Sequence, residues 1–135
     1  MRWSSLLLPF SLLGAGVLAA KSDPANTFQN FHQKALSSAP IKLDDVAYKK
    51  VTGLPRDYTV AVLLTALDSR YACQMCRDFD PEWKLLSKSW TKGDKAGDSR
   101  TLFTTLDFND GRETFMSVCA QPPILVSFLA RFGRL

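Results

Sequence analysis

An apolar run leads directly into a pair of cysteines in YTVAVLLTALDSRYACQMC, residues 58–76. The run Tyr58 to Leu67 carries no charge and is rich in strand-forming residues, which is typical of a central strand covered on both faces. After it, Cys73 begins a stretch in which large apolar residues recur at helical spacing. The residues on this face of the predicted helix are Phe79, Trp83, Leu86 and Trp90. The segment therefore predicts a strand, a Cys-x-x-Cys pair and a helix in direct succession.

Helical and strand patterns alternate along the rest of the chain. Asp23 followed by Pro24 marks the start of a helix that is predicted to end near Ser37, because aspartate caps a helix and proline suits its first turn. The other predicted elements are a strand at Ile41 and Leu43, a turn of helix capped by Asp44, a strand from Leu102 to Phe108, a helix from Glu113 to Cys119 and a final strand from Ile124 to Phe128. This alternation predicts an α/β fold with helices packed on a sheet.

Residues 1–20 have the order of features of a secretory signal peptide. Arg2 precedes an apolar run from Leu6 to Leu18, which closes on the small residues Ala19 and Ala20. A signal anchor is the alternative, but the run is shorter than the roughly 20 apolar residues that a membrane span needs. We therefore expect cleavage and a mature domain that starts at about residue 21.

The composition is that of one globular domain rather than a disordered chain. Of the 135 residues, 46% are hydrophobic and 22% are charged, and the formal net charge of +4 is spread over separated lysines and arginines. Because no basic stripe stands out, we expect no nucleic-acid partner. The sequence also shows no phosphate-binding glycine loop, and we expect no cofactor.

The other polar residues give weak signals for chemistry. His32, the single histidine, is expected to be solvated on a helix surface. Five carboxylates are expected to form solvated faces and helix caps rather than a metal site; they are Asp44, Asp45, Asp78, Asp80 and Glu82. The cysteines therefore carry the functional argument.

Two cysteines separated by two residues at a strand–helix junction can close a small disulfide ring and reopen it by thiol exchange. At a helix start, Cys73 meets unpaired N–H groups and the positive end of the helix dipole, which favour a nucleophilic thiolate. Cys76, one turn inside, is then the resolving thiol. The alternatives are a zinc half-site, for which Cys119 and His32 are the sole further Cys or His ligands, and a structural disulfide, which would constrain only a very short loop.

Cys119 itself has two interpretations. It is either a small buried apolar residue or a third redox thiol. Mass mapping of the oxidised protein separates these interpretations.

Two prolines and two flanking segments carry a family resemblance. Pro81 stands five positions after Cys76, and Pro123 precedes an apolar strand, where thioredoxin-like proteins have a helix-kinking proline and a cis-proline. Within that group, the segments 66–83 and 106–112 resemble the thioredoxin-like subunits of the oligosaccharyltransferase complex, the fungal-type OST3/OST6 family. The resemblance spans about residues 21–128 and implies a thioredoxin-like lumenal domain.

The resemblance implies an accessory role in protein N-glycosylation in the endoplasmic reticulum. Its expected partners are the other oligosaccharyltransferase subunits and nascent polypeptides with cysteines, held by mixed disulfides of Cys73 and Cys76 and by a peptide groove. The implied substrate-binding residues are Gln74, Met75, Pro122 and Pro123. A soluble lumenal thiol-disulfide oxidoreductase is the alternative. Ion transport, a third class, is ranked last because it needs membrane spans.

Three features depart from the family pattern. Leu67 occupies the strand position at which thioredoxins keep a buried acid, and Pro122 lacks the N–H with which the residue before the cis-proline holds a peptide. Residues 129–135 form an atypical tail, so the fold is expected to be truncated before its last strand and helix. Membrane association is expected only through segments absent from this chain.

Overall fold

A computed structural model describes residues 23–119 of the chain. In chain order, its elements are α1 (Pro24–Ser37), β1 (Ile41–Leu43), α2 (Asp45–Thr52), β2 (Thr59–Thr65), a single 3-10 turn (Ser69–Tyr71), α3 (Gln74–Gly93), β3 (Thr101–Asp107) and α4 (Arg112–Cys119). Residues 1–20 and 129–135, Pro122, Pro123 and the predicted strand Ile124 to Phe128 lie outside the described residues.

The described strands form one parallel sheet in the order β1-β3-β2. In the register of this sheet, Leu106 of β3 lies between Leu43 of β1 and Leu64 of β2. The prediction of an α/β fold is thus confirmed, and the architecture is consistent with a thioredoxin-like domain. Among the described strands, β3 lies between β1 and β2. The central place of Tyr58 to Leu67 stays a prediction, because the strand predicted at residues 124–128 lies outside the described residues.

Local capping explains why α1 begins and ends where the sequence predicts. The Asp23 side chain accepts a hydrogen bond from the Ala25 N–H at 3.0 Å, and Pro24 occupies the first turn. At the other end, the Ser38 N–H donates to the Lys34 carbonyl. Between these caps, the apolar residues at helical spacing turn towards the sheet; they are Phe28, Phe31 and Ala35.

The short helices α2 and α4 are joined through Asp45. Its carboxylate accepts hydrogen bonds from the backbone N–H and the hydroxyl of Thr114, at 2.8 and 2.7 Å. These bonds, led by the one from the hydroxyl, hold the pKa of Asp45 below its ordinary value. Asp44 caps α2, as predicted, by accepting from the Ala47 N–H at 2.7 Å. Asp45 is therefore a connecting residue rather than a solvated charge.

One face of the sheet carries the core. β3 buries Leu102 and Leu106, and these side chains pack with Val60 of β2. Residues of α1, α2 and α4 cover them, including Phe28 and Val51, which are 1% and 0% exposed. Since strand side chains alternate between faces, Phe103 and Thr105 point to the opposite side.

Helix α3 covers the opposite face. Trp83 packs on Phe103 with ring centroids 5.4 Å apart, and its indole N–H donates to the Thr105 hydroxyl at 3.1 Å. Trp83 is buried, but the rest of the predicted apolar helix face is not, since Phe79, Leu86 and Trp90 remain 45%, 47% and 43% exposed. This side of the described domain is therefore only partly covered.

His32 lies in the core rather than on the surface, which corrects the prediction of a solvated histidine. It is 5% exposed, stacks on Phe28 at 5.4 Å and places Nε2 3.2 Å from the Asp94 carbonyl oxygen. Gly97 lets this loop approach because its φ is +79° and a Cβ there would press on both rings. The loop before β3 folds over α1. The sequence of α1 alone does not predict this long-range contact.

Candidate functional site

A disulfide joins Cys73 and Cys76 at the N-terminus of α3, with the two Cα atoms 5.3 Å apart. Cys73 is the N-cap of the helix, and its Sγ accepts a hydrogen bond from the Cys76 N–H at 3.2 Å. Both cysteines are half-buried, so neither sulfur is enclosed in the core. The helix-start position that the sequence predicts for Cys73 is therefore the position it occupies.

A short, strained segment connects β2 to the disulfide. Asp68 caps the 3-10 turn by accepting from the Arg70 N–H, and Ala72 then takes a left-handed conformation with a φ of 47°. For a residue with a Cβ, this conformation costs about 1–2 kcal/mol. The reversal places Cys73 directly at the start of α3.

Hydrogen bonds tie this segment to the loop that follows β3. The Tyr71 hydroxyl donates to Asn109 Oδ1 at 2.7 Å, and the Tyr71 ring meets the edge of Phe108 with centroids 5.0 Å apart. Asn109 Nδ2 also donates to the Asp68 carboxylate at 3.4 Å. We call Asp68, Arg70, Tyr71 and Asn109 the clasp. It joins the two segments on which the family resemblance rests.

The electrostatics of the clasp are dominated by one carboxylate. The Arg70 side chain hydrogen-bonds both oxygens of Asp68, at 3.1 and 2.7 Å. Those side-chain bonds are the main reason why the pKa of Asp68 lies far below its ordinary value, and the hydrogen bond from the Arg70 backbone N–H is the second. The Asp68 carboxylate therefore faces the other members of the clasp.

A second acid, Asp107, lies at the same edge of the sheet. Its carboxylate accepts from the Leu67 N–H and the Asn109 N–H, both at 3.0 Å. Sequence reasoning noted Leu67 in place of a buried acid but missed Asp107. The order of the strands could have pointed to Asp107. The carboxyl ends of neighbouring parallel strands lie at the same edge of a sheet, which brings the loops after β2 and β3 together.

The first turn of α3 presents two of the predicted substrate-binding residues. Met75, between the cysteines, is 80% exposed. Gln74 uses its side-chain amide to donate to Asp78 at 2.8 Å. Pro122 and Pro123, the other two predicted contacts, lie outside the described residues. The described site therefore combines Cys73, Gln74, Met75 and Cys76.

An exposed apolar stripe extends from this turn along α3. At 100° per residue, Met75, Phe79, Leu86 and Trp90 fall within about 60° of one another on the helix. Each is more than two-fifths exposed. We call these four residues the apolar stripe. Pro81 lies inside α3, and the stripe continues past it.

The described residues show neither a metal site nor a membrane-spanning helix. Within residues 23–119, no three His, Cys, Asp or Glu side chains come together as metal ligands. No helix in this same range combines the length and the apolar character that a bilayer span requires.

A protein-family profile matches most of the chain. A profile described as "OST3 / OST6 family, transporter family" matches residues 28–130, which include all the elements described above after the first turn of α1.

Several curated relatives carry the name "Dolichyl-diphosphooligosaccharide--protein glycosyltransferase subunit MAGT1". That of Danio rerio is 32% identical over 95 residues, which cover 69% of this chain and 29% of the relative. That of Xenopus laevis is 29% identical over 117 residues, covering 77% of this chain and 35% of the relative. The chain thus spans about a third of the length of these relatives.

Proposed function

Because the chain belongs to the OST3/OST6 family, we propose that it is part of an accessory subunit of an oligosaccharyltransferase complex in the endoplasmic reticulum. In this role, it holds polypeptides that are being glycosylated. The observation that supports the holding role is the disulfide between Cys73 and Cys76 at a helix start, with the exposed Met75 between the two sulfurs.

The proposed capture step is a thiol–disulfide exchange. A cysteine thiolate of the polypeptide attacks Cys73 Sγ, a new S–S bond forms, and the bond to Cys76 breaks with its electron pair leaving on Cys76 as a thiolate. In the release step, the Cys76 thiolate attacks Cys73 Sγ and the polypeptide leaves as a thiolate. Capture and release together cause no net oxidation, so the pair acts as a reversible tether.

The position of each sulfur supports this division of roles. Cys73 Sγ already accepts the Cys76 N–H, and a thiolate there would also lie at the positive end of the α3 dipole. Cys76 sits inside the first turn, within bonding distance of Cys73. Cys73 is therefore the sulfur that carries the polypeptide, and Cys76 is the sulfur that ends the attachment.

Noncovalent contacts would prolong each encounter. The apolar stripe begins at Met75 and offers exposed aliphatic and aromatic surface to an unfolded chain. Burying such surface stabilises a complex by about 25 cal/mol per Å² before the entropic cost of association.

Pro122 would weaken peptide binding, because it has no backbone N–H to donate to the peptide. Pro122→Ala is therefore expected to tighten peptide binding. Unchanged affinity would contradict this part of the proposal.

Affinity purification tests both parts of the proposal. The protein is tagged in its own cell, thiols are alkylated at lysis, and the purified material is separated with and without reductant. We expect glycosyltransferase subunits with the wild type and with Cys73→Ser alike, whereas disulfide-linked polypeptides should require Cys73. Absence of the glycosyltransferase subunits would contradict the subunit role.

A soluble oxidoreductase would give a different result. It would turn over a dithiol peptide repeatedly with a glutathione disulfide co-substrate and would purify without glycosyltransferase subunits. Comparing the wild type with Cys73→Ser in both assays separates the tether from the enzyme.

A further inference from the structure

A concave groove of about 490 Å³ lies between the C-terminal ends of α1 and α3, away from the disulfide. Leu36 and Ala39 contribute apolar surface on one side. Lys88, Lys92 and Lys95 line the other side. Along α3, Lys92 is separated from Cys76 by about 24 Å, at 1.5 Å per residue. The groove is therefore distinct from the proposed tether.

The groove has a one-sided charge. Among the described residues that line it, three are lysines and none is acidic. Within residues 23–119, these lysines make no ion pair, whereas Lys49 and Lys84 pair with Glu113 and Asp80. The side formed by α1 carries Leu36 and Ala39 together with Ser37 and Ser38. A cationic wall beside this partly apolar wall favours a ligand that carries both carboxylates and small apolar side chains.

Helix stabilisation explains only part of this arrangement. Lys92 lies in the last turn of α3, where a cation interacts favourably with the exposed carbonyl groups. Lys88 lies one turn earlier, and Lys95 follows the helix in the loop. Their convergence on the same groove is not required by the helix dipole, which weakens within the last turn.

We propose that this groove docks an acidic segment of a partner protein. The partner's carboxylates pair with Lys88, Lys92 and Lys95, while a small apolar side chain lies against Leu36 and Ala39. A polypeptide fits the groove because one short segment can present carboxylates and a small apolar side chain next to each other, as the lining requires. This docking does not depend on the chemistry of the cysteines.

Fluorescence anisotropy on the full chain tests the proposal with a labelled peptide of alternating glutamate and alanine. The double variant Lys88→Gln and Lys92→Gln is compared with the charge-matched control Lys42→Gln and Lys50→Gln. Lys42 and Lys50 are exposed and lie outside the groove. We expect about a tenfold loss of affinity in the groove variant, little change in the control, and weaker binding as salt rises.

Each other outcome overturns the proposal. Equal loss in both variants would mean attraction to overall positive charge, and equal binding of a peptide with glutamine in place of glutamate would remove the role of carboxylates. Lysine-dependent sedimentation with phosphatidylserine vesicles, without peptide binding, would make the ligand a membrane. A lower melting temperature of the groove variant with unchanged peptide affinity would assign these lysines to helix stabilisation alone.

Discussion

The two faces of the sheet differ in how completely they are covered. On the face under α1, the side chains of Phe28, Leu102 and Leu106 are at most 1% exposed. On the face under α3, Trp83 is buried at 7%, but its neighbours on the same helix are nearly half exposed. Apolar burial is the main favourable term in folding, so the α1 face contributes most of the stability of the described domain. The helix that carries the disulfide keeps apolar surface available for other contacts.

The face of the sheet that contributes most of the stability is not the face that carries the disulfide. The α1 face holds β3 between the other two described strands, and β3 positions the loop whose Asn109 accepts a hydrogen bond from the Tyr71 hydroxyl. The disulfide is thus positioned by the well-packed side but lies on the sparsely packed one. Substitutions on the two faces should therefore have unequal effects on unfolding.

The largest effect is expected from truncating the centre of the α1 face. Leu106→Ala should lower the free energy of unfolding by about 2–5 kcal/mol, because Leu106 is 0% exposed and its loss leaves a cavity. Leu86→Ala on α3, 47% exposed, should cost less than about 1 kcal/mol. Urea unfolding of both variants measures the difference; equal losses would contradict the contrast between the faces. If Leu106→Ala does not fold, Leu106→Val provides a smaller change at the same site.

A glycine pair tests the same contrast without removing any side chain. A Cβ at Gly111 would collide with the side chain of Leu106, whereas a Cβ at Gly93, at the end of α3, would meet nothing within 4 Å. Gly111→Ala should cost about 1–3 kcal/mol by overpacking, and Gly93→Ala should be neutral or stabilising. Thermal unfolding of the two variants is the measurement. A harmless Gly111→Ala would mean that Leu106 can move freely.

A smaller, stabilising effect is expected at Thr65. This residue is 1% exposed, and its hydroxyl has no hydrogen-bond partner among the described residues. Thr65→Val keeps the shape and removes the unpaired hydroxyl, which should raise the free energy of unfolding by about 1 kcal/mol. Thr104→Val is the control, because the Thr104 hydroxyl donates to the Ala61 carbonyl at 3.1 Å and its loss should destabilise. Destabilisation by both substitutions would contradict the prediction.

The smallest effect concerns pH and the clasp. Hydrogen bonds from Arg70 depress the pKa of Asp68 in the folded protein, so Asp68 contributes stability above its unfolded pKa of about 3.9 and loses it as the pH falls below that value. Asp68→Asn should therefore lower stability slightly at neutral pH and flatten the acid loss between about pH 5 and 2. Urea midpoints across this range check the prediction. Asp98→Asn serves as the control; the same flattening there would remove the special role of Asp68.

Local signals in the sequence predicted the elements well. The caps Asp23 and Asp44 fixed the starts of α1 and α2, and proline at the first turn supported α1. The Cys73 position at the start of α3 followed from the same kind of reasoning. These features depend on neighbours within one turn of the chain, which is why the sequence alone could predict them.

Long-range contacts were not predictable in the same way. The burial of His32 depends on a loop more than sixty positions away, and the Asn109 contact to Tyr71 depends on which strands become neighbours. The exposure of Leu86 and Trp90 likewise depends on what covers α3, not on the helical periodicity that both residues satisfy. Periodicity predicts a shared face but not its burial.

The most direct test of the tether uses purified, reduced full chain and a single-cysteine peptide activated as a mixed disulfide with pyridine-2-thiol. Cys73 attacks the peptide sulfur, pyridine-2-thione leaves, and Cys76 then displaces the peptide as a thiol. We predict a transient adduct in the wild type, a lasting adduct through Cys73 in Cys76→Ser, and at least tenfold slower adduct formation in Cys73→Ser. Equal rates at both cysteines, or an equally lasting adduct in the wild type, would contradict the account.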